Sequence, residues 1–263
     1  MDERSDNDGK VLPPQRSQTL VRGLEIMDAV AERSRTIAEI ATLTGLTYPT
    51  VHRIVSVLVE RRYLKMEKNA REFSLGPRLI ELGFSAYSRI DLVRTARPLL
   101  EELGRRTGDT VHLAQREGNE VVYLEKLRGT RAVEISSRIG GRKPVISTGV
   151  GKAMLLDDTE EKLIELYRHD HRLIANDAGE AAWLSMMRNY REGEFSYDLG
   201  EDEPSIRCVA VPIRDATRRI IASVSVSSTV DYMDPARMKA LIPEVKAVAL
   251  AISAELGAPP ERA

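Results

Sequence analysis

The chain has 263 residues, is 42% hydrophobic and 30% charged, and carries a net charge of −1, an ordinary globular makeup with room for two domains. No apolar run approaches the ~20 residues that cross a bilayer, and the polar, acidic start MDERSDNDGK does not read as a signal peptide. The only cysteine, Cys208, excludes an internal disulfide and fits a reducing cytoplasm. It joins four scattered histidines without forming a metal-ligand cluster, so neither metal nor cofactor is expected. The charge is uneven: Arg16 to Arg78 holds eleven Lys or Arg against seven Asp or Glu, which leaves the remainder at −5. A basic segment on an acidic body suits a DNA reader attached to something else.

Residues 1–15 lack periodicity and read as a tail. Leu20, Leu24, Met27 and Ala31 recur at helical spacing and predict a first helix with those residues inward. From Thr36 to Tyr63 the pattern is two helices around a tight corner. Thr36 and Glu39 have capping-box spacing, and Ile37, Ile40, Ala41 and Leu43 supply an apolar face. Gly45 stands where a left-handed residue ends the helix. Thr47 can cap the second helix and Pro49 falls in its first turn. Val51, Ile54, Val55 and Leu58 are its inward stripe. Tyr48, Thr50, His52, Arg53 and Ser56 are left facing out, side chains suited to base edges and phosphates. Two ordinary packed helices would show the same apolar pattern.

Tyr63–Glu67 and Arg71–Leu75 alternate about an Asn-containing turn and predict a β-hairpin, a wing with Lys68 and Arg71 near its tip. After Gly76-Pro77, a helix to about Ser88 is apolar on more than one side, which suits a linker with dimer contacts. Asp91 caps a helix lined by Leu92, Ala96, Leu99 and Leu103. Val111–Ala114, Val121–Leu124 and Ala132–Ile135 read as strands, and Gly140 to Pro144 as a loop. A short helix follows Thr148, then two or three more within 158–192. Strands return at 206–213 and 220–227, and Asp234 caps a long closing helix on Met238, Leu241, Val245, Val248 and Ile252. The order implies α+β, with helices against a mainly antiparallel sheet.

Exposed N–H groups where a loop enters the helix at Gly149 and Val150 favour an anion such as a carboxylate. Ser225 and Ser227 share a strand face, though solvent-facing strand polars would look the same. Cys208 opens another strand, with Asp198 in the loop before it. A nucleophilic Cys208 has no histidine beside it in the sequence, and a small buried residue is the plainer reading. The glycine loop before Lys152 lacks the full phosphate-binding pattern.

The segments SQTLVRGLEIM, LTYPTVHRIVSVLVERRYL, FSLGPRLIELG, RPLLEELGRRTGDTVHLA, SRIGGRKPVISTGVGKAML, RCVAVPI and IIASVSVSS, in this order, resemble the IclR family of bacterial transcription regulators. The resemblance spans Ser17 to Leu256. It implies a winged helix-turn-helix over 16–77, a linker helix over 78–90, and a GAF/PAS-like effector-binding domain over 91–257 ahead of a 258–263 tail. It also implies a homodimer, often a dimer of dimers, on a palindromic double-stranded operator. The expected ligand is an organic, sugar or aromatic acid, and the expected role is control of a catabolic operon, as a repressor first and an activator as the alternative. Operator contacts are expected from Arg16, Arg22, Thr36, Thr47, Tyr48, Pro49, Thr50, His52, Arg53, Lys68 and Arg71. Effector contacts carried over from the family are Gly149, Val150, Asp198, Cys208, Ser225 and Ser227. Arg62, Glu194 and Ser205 stand where the family usually has glycine, so the turn before the wing and the 194–205 loop are expected to differ. Two rival functions remain open on the residues alone: a hydrolase or transferase using Cys208 and Asp198, and a ligand-binding module without DNA affinity.

Overall fold

The computed structural model describes residues 17–67, 71–87, 91–132, 135–175 and 177–260. The chain divides into two compact units, Met1–Arg89 and Ile90–Ala263, each with its own core.

In the first unit, α1 (Gln18–Ala29), α2 (Ile37–Thr44) and α3 (Tyr48–Glu60) pack around Ile26, Val30, Ile40, Val51, Ile54 and Val55. Both bonds of the predicted capping box form. Thr36 N donates to Glu39 Oε2 at 2.8 Å, and Glu39 N donates to Thr36 Oγ1 at 3.3 Å. The Thr36 backbone N–H and then the Arg33 guanidinium hold the Glu39 carboxyl down to about 2. Gly45 turns the corner at φ 68, where a Cβ would be strained. Antiparallel β1 (Leu64–Glu67) and β2 (Glu72–Leu75) form the wing. An isolated bridge from Arg35 to Phe73 ties it to the α1–α2 connection. Then comes α4 (Pro77–Tyr87).

Two sequence expectations fail here for one reason, that a helix has several apolar stripes and its neighbours choose among them. On α1 the buried residues are Gly23 and Ile26, with Val30 just beyond, while Leu20 and Leu24 are exposed. On α2, Ile40 is buried and Leu43 is out. Arg62 takes φ 63, the left-handed conformation that glycine adopts freely, so the family's turn geometry is available to this arginine at some strain.

The second unit is a six-stranded, wholly antiparallel sheet in the order β5-β4-β3-β8-β7-β6. Its strands are β3 (Thr110–Glu117), β4 (Glu120–Leu127), β5 (Arg142–Pro144), β6 (Ser196–Asp198), β7 (Ile206–Arg214) and β8 (Ile220–Thr229). The strands β5 and β6 correct the reading of 140–144 and 194–205 as loops; three residues are too few to display a period. Ala132 and Ile135 lie outside any strand, and residues 133–134 are outside the described residues. Along the central strands the faces alternate. Val111, Leu113, Val209, Val211, Val224 and Val226 face α5 (Leu92–Thr107) and α9 (Pro235–Glu255). Ala114, Tyr123 and Ala210 face the other side, covered by α6 (Gly149–Met154), α7 (Glu160–Asp170) and α8 (Glu180–Gly193). Asp91 and Asp234 cap α5 and α9 through the N–H groups of Arg94 and Arg237. All five expected stripe residues of α9 are buried. On α5, however, Leu100 joins Ala96 and Leu103 while Leu92 and Leu99 are half-buried. Glu194 ends α8 at φ 48, again left-handed where the family usually has glycine. No helix among the described residues is long and apolar enough to cross a membrane.

Candidate functional site

The first site is the outer face of α3. Burying Val51, Ile54 and Val55 forces the residues between them outward. Tyr48 is 56% exposed, and Pro49, His52, Arg53 and Ser56 are exposed with it, while Thr50 is half-buried. The Tyr48 and His52 rings stack one turn apart, centroids 6.5 Å apart and planes inclined by 24°. Thr47 stands at the N-cap of α3 but makes no side-chain cap bond, contrary to the sequence expectation; its Oγ1 lies instead 2.9 Å from Thr50 Oγ1 at the helix start. Arg71 is exposed at the wing with φ 51, and Arg22 is half-buried on α1. Thr36 spends its hydroxyl on the α2 cap. Arg16 and Lys68 lie outside the described residues.

The second site is built on two rungs of the sheet. Strand register sets Asp198, Cys208, Ser227 and Thr110 opposite one another across β6, β7, β8 and β3. The next rung carries Ala210, Ser225 and His112. Directly paired residues point to one side, so the carboxyl, thiol, hydroxyls and imidazole all reach the α6 face. There α6 sits close because Gly149 has no side chain: a Cβ would come within 2.3 Å of Cys208 Sγ. Two strand serines hold α6 down, Ser196 Oγ donating to Gly149 O and Ser223 Oγ to Val150 O, each at 2.8 Å.

All six residues expected to touch the effector line one cavity of about 30 Å³. Sequence reasoning missed His112, Tyr123, Ser137, Lys143, Asp202 and Glu203, which line it as well. His112 could have been found from its place at the β3 position opposite Ser225. Its Nε2 lies 2.7 Å from Ser137 Oγ and its Nδ1 lies 3.4 Å from Ser227 Oγ, which in turn is 3.5 Å from Ser225 Oγ. Burial, then the Lys126 charge, pushes the His112 ring down to about 3. Burial also pushes the Cys208 thiol well above its ordinary range, the reverse of what a nucleophile needs. Asp198 Oδ1 accepts from Gly200 N at 2.9 Å and Glu201 N at 3.0 Å. Behind it the fully buried Lys152 ammonium pairs with Glu201. A wider groove of about 670 Å³ beside the end of α9 carries Arg214, Arg218 and Lys246, but none of the paired strand polars. Among the described residues no cluster of three or more His, Cys, Asp or Glu could hold a metal ion.

Burial pushes the Asp198 carboxyl up to about 7, with Lys152 opposing and Glu201 adding to the rise. The ordinary value is 3.8, so between the two the folded chain keeps a proton that the unfolded chain has shed. The stability contributed by that proton is full below about pH 4 and is lost as pH rises through about 7. His112 runs the other way: its contribution is full above its ordinary 6.5 and lost as pH falls toward about 3. Asp198→Asn removes only the first slope. Thermal melts across the pH range should show the variant gaining on wild type as pH rises to about 7 and then holding level. A difference that does not change over that range would mean Asp198 is ionised throughout.

A winged helix-turn-helix with an outward polar helix, joined in one chain to a sheet domain holding a small polar cavity, is the build of a DNA-binding, effector-binding transcription regulator. Residues 19–67 match the family model described as the IclR helix-turn-helix domain, and residues 84–254 match the bacterial transcriptional regulator IclR C-terminal model. The chain belongs to the IclR family of bacterial transcriptional regulators. It is 34% identical over 247 residues to the HTH-type transcriptional regulator XynR of Escherichia coli, covering 92% of this chain and 98% of XynR. It is 29% identical over 251 residues to KdgR of the same organism, covering 93% and 94%. Among solved structures, the Agobacterium tumefaciens repressor BlcR superposes with a TM-score of 0.78 at 25% identity, over 93% of this chain and 99% of BlcR.

Proposed function

We propose that the chain is a cytoplasmic, dimeric repressor of a catabolic operon, which releases or grips its operator according to a small acid bound in the sheet-domain cavity. The observation that carries the DNA half is the exposed row Tyr48, Pro49, His52 and Arg53 on the first two turns of α3. Those turns are what a recognition helix presents to the major groove. Arg22 and Arg71, with Arg16 and Lys68, would hold phosphates, which position the helix without reading sequence. Thr36 has both its hydroxyl and its backbone N–H engaged in the α2 cap, so it would serve by fixing the start of α2.

The same unit leaves Leu20, Val21 and Leu24 of α1 and Ile80, Leu82 and Phe84 of α4 exposed, Phe84 at 71%. So much bare apolar surface on a small unit marks an association face. A two-fold dimer through it supports a palindromic operator, and a further pairing of dimers is compatible with a longer one. The effector would reach Gly149, Val150, Asp198, Cys208, Ser225 and Ser227. It would act only by binding the DNA-competent and DNA-incompetent states unequally. An enzyme using Cys208 and Asp198 is the weaker reading, because the thiol is buried and held protonated.

The test is titration of the full chain onto a fragment from upstream of its own gene and onto scrambled DNA, at several salt concentrations. The expected result is a dimer that prefers the upstream fragment by about 10³-fold or more, with affinity falling steeply as salt rises. Equal, weak binding to both fragments would end the proposal.

A further inference from the structure

The cavity is far smaller than the ~300 Å³ of an ordinary ligand pocket, and part of its wall is charged. Three consecutive carboxylates, Glu201, Asp202 and Glu203, lie on the β6–β7 loop. Lys143, on the short edge strand β5, lines the cavity and places Nζ 3.1 Å from Asp202 Oδ2 and 3.0 Å from Glu203 Oε1. Glu203 also accepts from Ser136 Oγ, and Glu201 is taken by the buried Lys152. The loop is therefore fastened at three points, by elements 49 to 67 residues away in the chain.

We infer that Lys143 is the carboxylate anchor of the effector site, that Asp202 and Glu203 are its internal stand-ins, and that the ligand is a small hydroxycarboxylate which displaces them. This rests on the effector reading of the same cavity. A ligand of any useful size needs the loop's acidic side chains to move out, and a carboxylate is the group that can replace them on Lys143 without leaving an ammonium unpaired. The rest of the wall sets the other end of the ligand. Ser225, Ser227, Ser137, His112 and Tyr123 offer uncharged donors and acceptors, and Asp198 offers an acceptor. An alkyl or aryl acid would lay apolar atoms against this polar wall, whereas hydroxyls along a short carbon chain would add hydrogen bonds where Ser225 and Ser227 have only long contacts of 3.4–3.5 Å. The exchange releases the β6–β7 loop, so ligand occupancy and loop position become one event.

Cys208 is the chain's one thiol and lies buried in the cavity wall, which makes it a built-in reporter. The experiment follows its alkylation by iodoacetamide in the full chain, with operator binding measured alongside. Lys143→Met should unlatch the loop and speed alkylation about tenfold, the scale of one lost charge-assisted hydrogen bond, while Lys143→Arg stays near wild type. In wild type, D-glycerate or D-gluconate should slow alkylation even though the loop is freed, because the bound acid itself covers Cys208 in the wall, while butyrate and sorbitol should not. Protection should weaken about tenfold or more in Lys143→Met. Unchanged alkylation in Lys143→Met, or equal protection of that variant, overturns the anchor. Protection by butyrate equal to that by the hydroxy acids, or none by either hydroxy acid, overturns the ligand class. These failures leave specific operator binding intact, whereas failure of the regulator reading removes it.

Discussion

Arg53→Ala is expected to weaken operator binding by about 10- to 100-fold, the ~1–3 kcal/mol carried by one good base contact. The side chain is exposed midway along α3, one residue before buried Ile54. Removing it should therefore leave the fold stable to within ~0.5 kcal/mol. The loss should be much larger on the operator than on scrambled DNA. Arg71→Ala provides the contrast. A wing arginine that meets a phosphate should weaken both duplexes alike and lower the salt slope by about one counterion. Fluorescence anisotropy with both fragments at two or more salt concentrations separates the two behaviours. If Arg53→Ala binds its operator within about twofold of wild type, α3 is not the reading element and the outward row has some other purpose.

The α2–α3 corner was legible because its signals are local. A capping box spans three residues, a left-handed glycine needs only itself, and an inward stripe repeats every turn. The corner therefore formed largely as read from Thr36 through Val55, except that Leu43 faces out and Thr47, at the N-cap of α3, makes no side-chain cap bond. The face of α1 was not legible, because Leu20 and Leu24 are as apolar as Ile26 and Val30 and only the positions of α2 and α3 decide which stripe is covered. The cavity of the sheet domain divides the same way. Ser225 and Ser227 follow from strand alternation, and Cys208 and Asp198 came with the family resemblance. Lys143 and the acids it holds did not emerge. Their meeting depends on two three-residue strands, β5 and β6, and on contacts some 60 residues apart in the chain. Arg62 and Glu194 teach a related point. A missing family glycine suggested altered turns, yet both residues occupy the left-handed region themselves. The surrounding fold imposes that conformation at a local cost of ~1–2 kcal/mol.

Gly149→Ala should destabilise the effector domain by about 1–3 kcal/mol, and Cys208→Ala should rescue much of that loss. Alanine is the better helix former by ~0.8–1 kcal/mol, so on propensity alone the change at the start of α6 would stabilise. Packing reverses the sign. The added Cβ would lie 2.3 Å from Cys208 Sγ and 3.2 Å from the Asp198 backbone nitrogen. Neither neighbour can retreat easily. Cys208 is paired into the sheet between Asp198 and Ser227, and the backbone of α6 is bonded to Ser196 and Ser223. Removing Sγ takes away the nearer contact and leaves only the milder approach to the Asp198 nitrogen. Cys208→Ala alone should cost ~1 kcal/mol for the small void it opens. In that background the further Gly149→Ala change should be close to neutral. Urea melts of the four chains give the coupling directly, and a value above ~1 kcal/mol is expected. A Gly149→Ala cost that is the same with and without the thiol would mean that α6 does not rest on β7 here. The cavity wall these residues share would then have to be drawn differently. The rescue has a functional side as well. Gly149 and Cys208 both line the cavity, so the single variant pushes one wall into it, and the double variant withdraws that wall but loses the thiol, regaining stability while ligand response returns only in part.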